Sequence, residues 1–211
     1  MRSAARTLGA VLIAGGLGLA GWAGVTWAWG DPFTALYTKR AQDRLAARYE
    51  ESVEAFRRAP ALVSEADERL AARRYRNSLS AGDPVGRLRV PRLGVDMVVV
   101  EGTDSGSLKR GPGHYEGSFL PGERKLVYIA GHRTTYGAPF ARIDRLRPGD
   151  RVSLEVPYGT FEYRVIGHRI VSATEVGVLR SRDREEVALQ ACHPRFFASH
   201  RYIVYARPSD R

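Results

Sequence analysis

The sequence predicts a mainly β domain in which seven or eight short strands close, or nearly close, into a barrel. The barrel follows an apolar N-terminal segment and a polar helical stretch. Three observations carry this. From Val85 to Ala206, short apolar or alternating segments succeed one another between Gly-, Pro- and Asp-containing turn clusters. Residues 31–80 have helical instead of strand periodicity. Thr7 to Gly30 are twenty-four residues without a charge.

That uncharged run is long enough to cross a bilayer, for which about twenty apolar residues at a rise of about 1.5 Å each suffice. Arg2 and Arg6 precede it, and Trp22, Trp27 and Trp29 gather at its far end, where indoles favour the interface. A cleaved signal peptide is the competing reading. Its apolar region is ordinarily only about 7–15 residues long, and Thr26-Trp27-Ala28 makes a poor cleavage site. Residues 1–30 are therefore expected to be a short cytoplasmic N-terminus and a single-pass anchor. The arginines on the short side place the C-terminal bulk outside the cytoplasm, with Lys39 and Arg40 beyond the span pulling against that orientation.

Residues 31–80 read as a helical stalk or linker. Leu45, Tyr49, Val53 and Phe56 form a stripe at helical spacing. Glu54 with Arg58, and Glu65 with Arg69, stand four apart in the favourable order. Ser64 followed by Asp67 resembles a helix N-terminus, and Pro60 separates two helices. The apolar stripe is expected to pack on the domain as a lid or spacer, a partner surface being the other possibility.

Residues 81–211 form the expected β domain. After the turn cluster at Ala81-Gly82-Asp83-Pro84, strands are expected at Val85–Val90 and Val95–Val100, then at Leu126–Ala130. In Arg151–Val156, Val152, Leu154 and Val156 share one face, opposite Arg151, Ser153 and Glu155. Thr160–Val171, Val187–Ala191 and Tyr202–Ala206 complete the set. Within the domain one short helical pattern stands out, Phe140, Ile143 and Leu146 at intervals of three.

The formal net charge of +10 is spread along the chain: +2 over residues 1–30, +2 over 31–80 and +6 over the remainder. No dense basic run is interleaved with aromatics as a nucleic-acid surface requires, so the charge points at most to a mild attraction to an anionic envelope. The chain has one cysteine, Cys192, which excludes an intrachain disulfide and any zinc site built of several cysteines.

The reactive residues fall in a suggestive pattern on this strand map. His132 follows the Leu126–Ala130 strand across Gly131, Cys192 caps the Val187–Ala191 strand, and Arg201 opens the last one. If the last two strands form a hairpin, and the strand before His132 runs parallel to the one before Cys192, all three meet at one rim. A thiolate there is a nucleophile, an imidazole can protonate a leaving amine, and a guanidinium can hold a developing oxyanion. Each residue also has a plainer reading: Cys192 as a small core residue, His132 as a strand cap, Arg201 as one surface arginine among thirty. His114, His168, His193 and His200 are read as structural or surface groups.

At these residues the sequence resembles the sortases, particularly the class E members of high-GC Gram-positive bacteria. Ile129-Ala130-Gly131-His132-Arg133-Thr134-Thr135-Tyr136-Gly137-Ala138-Pro139-Phe140 is similar to the family's histidine motif. Leu189-Gln190-Ala191-Cys192-His193-Pro194-Arg195-Phe196, with Arg201-Tyr202-Ile203-Val204, resembles its cysteine–arginine motif. Gly111-Pro112-Gly113-His114-Tyr115 and Gly122 also fit the approach to the histidine strand. The family usually has Thr-Leu-x-Thr-Cys, and here Ala188 and Ala191 stand where it has the threonines.

The resemblance spans roughly residues 83–208 and implies an eight-stranded sortase β-barrel. It implies Cys192 as nucleophile, His132 as general acid/base and Arg201 as oxyanion and substrate stabiliser, with no metal or organic cofactor. The implied substrates are secreted proteins bearing an LPXTG- or LAXTG-like signal cut between Thr and Gly. The implied acceptor is an amine of a peptidoglycan precursor or a pilin lysine. Two alternatives stand beside it. An L,D-transpeptidase also joins Cys, His and Arg at the cell wall, but expects His-Gly before its cysteine where this chain has Gln190-Ala191. With the threonines replaced, an inactive sortase-like scaffold in pilus assembly is the other.

Overall fold

The computed structural model describes residues 2–29, 32–58 and 62–209, with side chains described over 6–24, 33–58 and 62–209. The side chains of Arg2, Trp27, Trp29 and Pro60, which the sequence reading used at the anchor's ends and as a helix break, lie outside these residues. Helix α1 (Arg2–Trp29) contains Arg6–Gly24, a stretch long and apolar enough to cross a membrane, and its described side chains are almost all exposed.

Two polar helices follow, α2 (Pro32–Arg57) and α3 (Glu65–Ser78). The α2 stripe is covered by the barrel: Leu45 and Tyr49 pack with Val98 and Val100, and Phe56 reaches the main core beside Tyr75 and Tyr158. Gln42 of α2 acts as a surrogate strand edge. Its amide donates to the carbonyls of Val98 (2.9 Å) and Arg110 (2.8 Å) and accepts from the Val98 N–H (2.7 Å). Ser64 caps α3, accepting from the Asp67 N–H at 3.1 Å. The two expected i,i+4 ion pairs are replaced by others. Glu54 pairs with Arg57, and Glu65 reaches across to Arg124. These contacts are with exposed side chains, where alternatives differ by only a few tenths of a kcal/mol and tertiary proximity decides.

The β domain is a closed barrel in the order β1-β2-β3-β4-β7-β8-β6-β5. Its strands are β1 (Pro84–Val90), β2 (Val95–Glu101), β3 (Gly113–His114), β4 (Leu126–Ala130), β5 (Arg151–Val156), β6 (Gly159–Ser172), β7 (Glu186–His193) and β8 (His200–Pro208). Pairing is antiparallel except at β2–β3 and β4–β7, which are parallel. Seven strands coincide with the expected ones within a few residues. The eighth, β3, has two residues, too few to show a period. Phe140, Ile143 and Leu146 are buried around a single 3-10 turn at Ile143–Arg145, whose three-residue period explains their spacing.

Alternation on β4, β7 and β8 feeds two separate cores. Val127, Ile129, Val187, Leu189, Ala191, Tyr202 and Val204 fill the barrel. Their neighbours Leu126, Tyr128, Ala188, Ile203 and Tyr205 form a second cluster on the outer face, with Val178 from the β6–β7 connection lying over it. Strands apolar on both faces read as continuous apolar runs, which is why Leu126–Ala130 shows no alternation.

Candidate active site

The outer face of β4, β7 and β8 ends at a rim that assembles the three residues expected there. Cys192 and Arg201 are directly opposed in the antiparallel β7–β8 pair. Opposed residues on one sheet face have Cβ atoms about 4.5–5.5 Å apart. On the other side of β7, the parallel ladder pairs Ala130 with Gln190. It continues through a hydrogen bond from the Gly131 N–H to the Gln190 carbonyl at 2.9 Å. His132 is the next residue, so it leaves the ladder level with the end of β7. The order across the rim is His132, Cys192, Arg201.

Glycine at 131 is required by close approach. A Cβ there would stand 2.6 Å from the Phe140 ring, which is fully buried beneath the histidine loop. The loop folds back through a hydrogen bond from the Phe140 N–H to the His132 carbonyl at 3.1 Å. The His132 ring lies 5.2 Å from that of Tyr136, and its Nε2 is buried without a hydrogen-bond partner among the described residues. Burial, and secondarily the positive charge of Lys109, hold the imidazole below its usual range. Helix α2 reaches this loop: the Tyr136 N–H donates to Thr34 Oγ1 at 2.9 Å, and Thr38 Oγ1 donates to the Lys109 carbonyl at 2.8 Å.

Arg201 is half-buried, and its Nη1 donates to the carbonyls of Ala198 (2.8 Å) and His200 (3.0 Å) in the β7–β8 connection. Two donor bonds on one nitrogen fix the guanidinium while leaving the rest of its fork for a ligand. Cys192 is a free, partly exposed thiol. Behind it on the same face, the Tyr128 hydroxyl donates to Gln190 Oε1 at 2.9 Å, and burial keeps that phenol protonated.

Arg133 was visible in the sequence only as part of a motif, with no role assigned. It is 5% exposed and ties the histidine loop to the cysteine strand. It donates to the Cys192 carbonyl (3.3 Å) and to His193 Nδ1 (3.0 Å), and it pairs with Asp144 at 3.0 Å. Only its adjacency to His132 could have suggested this. The other four histidines serve elsewhere. His114 is fully buried between Glu101 (2.7 Å) and Ser118 (2.9 Å), and His168 stacks on Tyr202 at 4.8 Å. His193 is held by Arg133, and His200 meets Ser199. The replaced threonines fall in two places: Ala191 is buried in the barrel and Ala188 in the outer cluster.

A closed eight-stranded barrel presenting Cys, His and Arg along one rim matches a known class, and residues 88–209 match the sortase domain family model. The chain belongs to the sortase family. It is 33% identical over 130 residues to Sortase D of Bacillus subtilis, covering 60% of this chain and 64% of that protein. It is 29% identical over 157 residues to Sortase SrtE1 of Streptomyces coelicolor, covering 67% of this chain and 45% of that protein. The matched region thus spans less than two thirds of either relative. The solved structure of a Clostridium perfringens Sortase D5 transpeptidase superposes with a TM-score of 0.64 at 25% identity, over 81% of this chain and 99% of that one.

Proposed function

We propose that this protein is a membrane-anchored cysteine transpeptidase acting on secreted proteins with an LPXTG- or LAXTG-like signal. The observation that carries the reading is the rim order, with Cys192 opposed to Arg201 on one side and His132 delivered by the Gly131–Gln190 hydrogen bond on the other. The Cys192 thiol passes its proton to His132 as its sulfur attacks the Thr carbonyl carbon, and the carbonyl electron pair moves to oxygen, where Arg201 donors receive it. Collapse breaks the C–N bond, and the departing Gly amine takes a proton from His132. An acceptor amine, from a peptidoglycan precursor or a pilin lysine, then attacks the thioester. It releases the thiolate and returns a proton to His132.

In this reading residues 1–30 anchor the chain, with Arg2 and Arg6 inside and residues 81–211 on the extracellular side of a Gram-positive membrane. Residues 31–80 link the two. The positions of Ala188 and Ala191 support an active enzyme over an inert scaffold, because both lie in packed clusters and leave the Cys192–Arg201 pair untouched. Incubation with an LPXTG peptide tests this. A hydroxylamine-sensitive acyl mass on the full chain is expected, lost in Cys192→Ala. Equal turnover by that variant would exclude the mechanism.

A further inference from the structure

The first two turns of α2 serve two surfaces at once. Thr34 and Thr38 face the barrel, where Thr34 Oγ1 accepts from the Tyr136 N–H (2.9 Å) and Thr38 Oγ1 donates to the Lys109 carbonyl (2.8 Å). Phe33, Leu36 and Tyr37, at spacings of three and four, lie together on another side of the helix. They are 71%, 48% and 47% exposed, whereas Leu45 and Tyr49 further along are buried. The same side continues through Arg40 and Arg44 to Ala47, so its apolar character ends at Tyr37 and cations take over. Between Phe33 and Tyr49, Lys39, Arg40, Arg44 and Arg48 stand against a single acid, Asp43. Aromatic and aliphatic side chains followed by a cationic band suit the level at which hydrocarbon gives way to lipid phosphates.

The apolar stretch of α1 fixes where this patch stands. Arg6–Gly24 has 19 residues. At about 1.5 Å per residue it is about 28 Å long, close to the hydrocarbon thickness of about 30 Å. Trp22 precedes the outer end of that stretch by two residues, about 3 Å along the axis. The Phe33 ring centroid is 5.6 Å from that of Trp22. Even directed straight outward, that separation leaves the Phe33 ring only about 3 Å beyond the hydrocarbon. Helical side chains lean toward the N-terminus, which draws the Trp22 ring deeper still. Phe33 therefore stands at the outer interface, and Leu36 and Tyr37 follow on the same side within about 6 Å along the helix. Tyr37 in turn meets Tyr136 edge-on at 6.3 Å, and the Tyr136 ring lies 5.2 Å from that of His132. Two ring contacts separate the patch from the imidazole.

Resting on the anchor reading, we propose that Phe33, Leu36 and Tyr37 form a second membrane contact, seated in the outer interface of the bilayer that α1 crosses, and that this contact steadies the histidine loop. Lys39, Arg40 and Arg44 pair with lipid phosphates at that level. This gives a role to Lys39 and Arg40, which stand beyond the span against the charge bias of an outward-facing domain. The contact with Trp22 selects the bilayer over a protein partner, because whatever covers Phe33 must also lie beside the span.

The test uses the full chain as Cys192→Ala, which removes its one cysteine, in vesicles of phosphatidylcholine and phosphatidylglycerol. A nitroxide is placed on one new cysteine at a time. Leu17→Cys reports the span and Leu36→Cys the patch. Ala47→Cys is the control, exposed on the same side about 16 Å further along α2. Collisions with oxygen report lipid, and collisions with a water-soluble nickel chelate report solvent. The oxygen-to-nickel ratio at residue 36 should exceed that at residue 47 several-fold, as seating about 5–10 Å into the headgroup boundary requires. A lipid-exposed label at residue 17 with equal ratios at 36 and 47 overturns the proposal and leaves the anchor standing. A solvent-exposed label at residue 17 removes the anchor and the proposal with it. Shielding of residue 36 from both reagents would mean that a protein, or a second copy of this chain, covers the patch, and overturns the proposal as well. The link to the site has its own readout. Phe33→Gln/Leu36→Gln, at exposed positions outside the core clusters, should speed amide exchange at Tyr136 several-fold in the same vesicles. Unchanged exchange there would show that the membrane contact does not steady the histidine loop.

Discussion

Cys192 and Arg201 face each other as direct cross-strand partners at the last turn-ward rungs of the β7–β8 ladder. The pairing sets their separation through backbone hydrogen bonds, so it does not depend on a flexible side chain finding its partner. The Arg201 guanidinium is also fixed at its own end by the Ala198 and His200 carbonyls. Position and orientation are thus both set in advance, as the proposed role of Arg201 toward a developing oxyanion requires.

Arg201→Lys tests whether that orientation matters beyond charge. An ammonium is a compact point charge and cannot both hold two loop carbonyls and present a fixed fork. Acylation by an LPXTG peptide in Arg201→Lys should fall by about 10²–10³, the usual worth of one oxyanion donor. A near-normal single-turnover rate would show that charge alone suffices.

His132 should titrate below the ordinary histidine value of about 6.5, because burial and Lys109 disfavour its charged form. Lys109→Gln should move the midpoint upward by removing the second cause. Its contribution to stability has a definite sign. Between the unfolded value and the lower folded one, the unfolded chain binds a proton that the native chain does not. Stability is therefore lost as pH falls through this window. NMR titration of the ring, with melting temperature followed over pH 7 to about pH 5, checks both. A midpoint above 6.5 would contradict the burial argument.

Arg133 should matter more than its neighbours in sequence suggest. Arg133→Ala removes donors from the Cys192 carbonyl and His193 and the partner of Asp144. Asp144 is about half exposed, so water can recover it, and a cost of about 1–3 kcal/mol is expected instead of that of a fully buried pair. Asp144→Asn leaves a buried guanidinium less compensated and should also destabilise. His193→Ala should be mild in activity, since adjacent strand residues point to opposite faces and His193 lies with Tyr202, away from the Cys192 face. Chemical denaturation and acylation rates together rank the three.

Much of this arrangement was legible beforehand. Leu126–Ala130 and Arg151–Val156 match their strands residue for residue, because length and flanking turns fixed them. The condition that brings His132 to Cys192, a parallel β4–β7 pair, could be posed from the sequence but not decided there, since strand order is a long-range property. Arg133 and Gln42 were illegible for a related reason. A buried arginine and an exposed one look alike in sequence, and Gln42 acts through carbonyls of residues far along the chain. Glu65 likewise chose Arg124 over the local Arg69 because the folded chain brings it close.

The boundary between stalk and domain yields the last prediction. The apolar stripe of residues 31–80 is expected to pack on the domain, and α2 covers Val98 and Val100 with Leu45 and Tyr49, while the Tyr49 hydroxyl donates to the Glu155 carbonyl at 3.0 Å. Gln42 satisfies three backbone groups, and Thr34 and Thr38 hold the loops bearing Tyr136 and Lys109 beside His132. A chain beginning at residue 81 would expose this face, at about 1.5–3 kcal/mol for each large apolar side chain uncovered. It should melt well below a chain beginning at residue 32. Gln42→Ala in the longer chain should cost about 1–3 kcal/mol, because a backbone acceptor or donor at the β2 edge loses its partner. The histidine loop should loosen as well, read as faster amide exchange at Tyr136 in the shorter chain. Equal melting temperatures and equal exchange in the two chains would mean that α2 only lies against the barrel and that residue 81 is the true start of the domain.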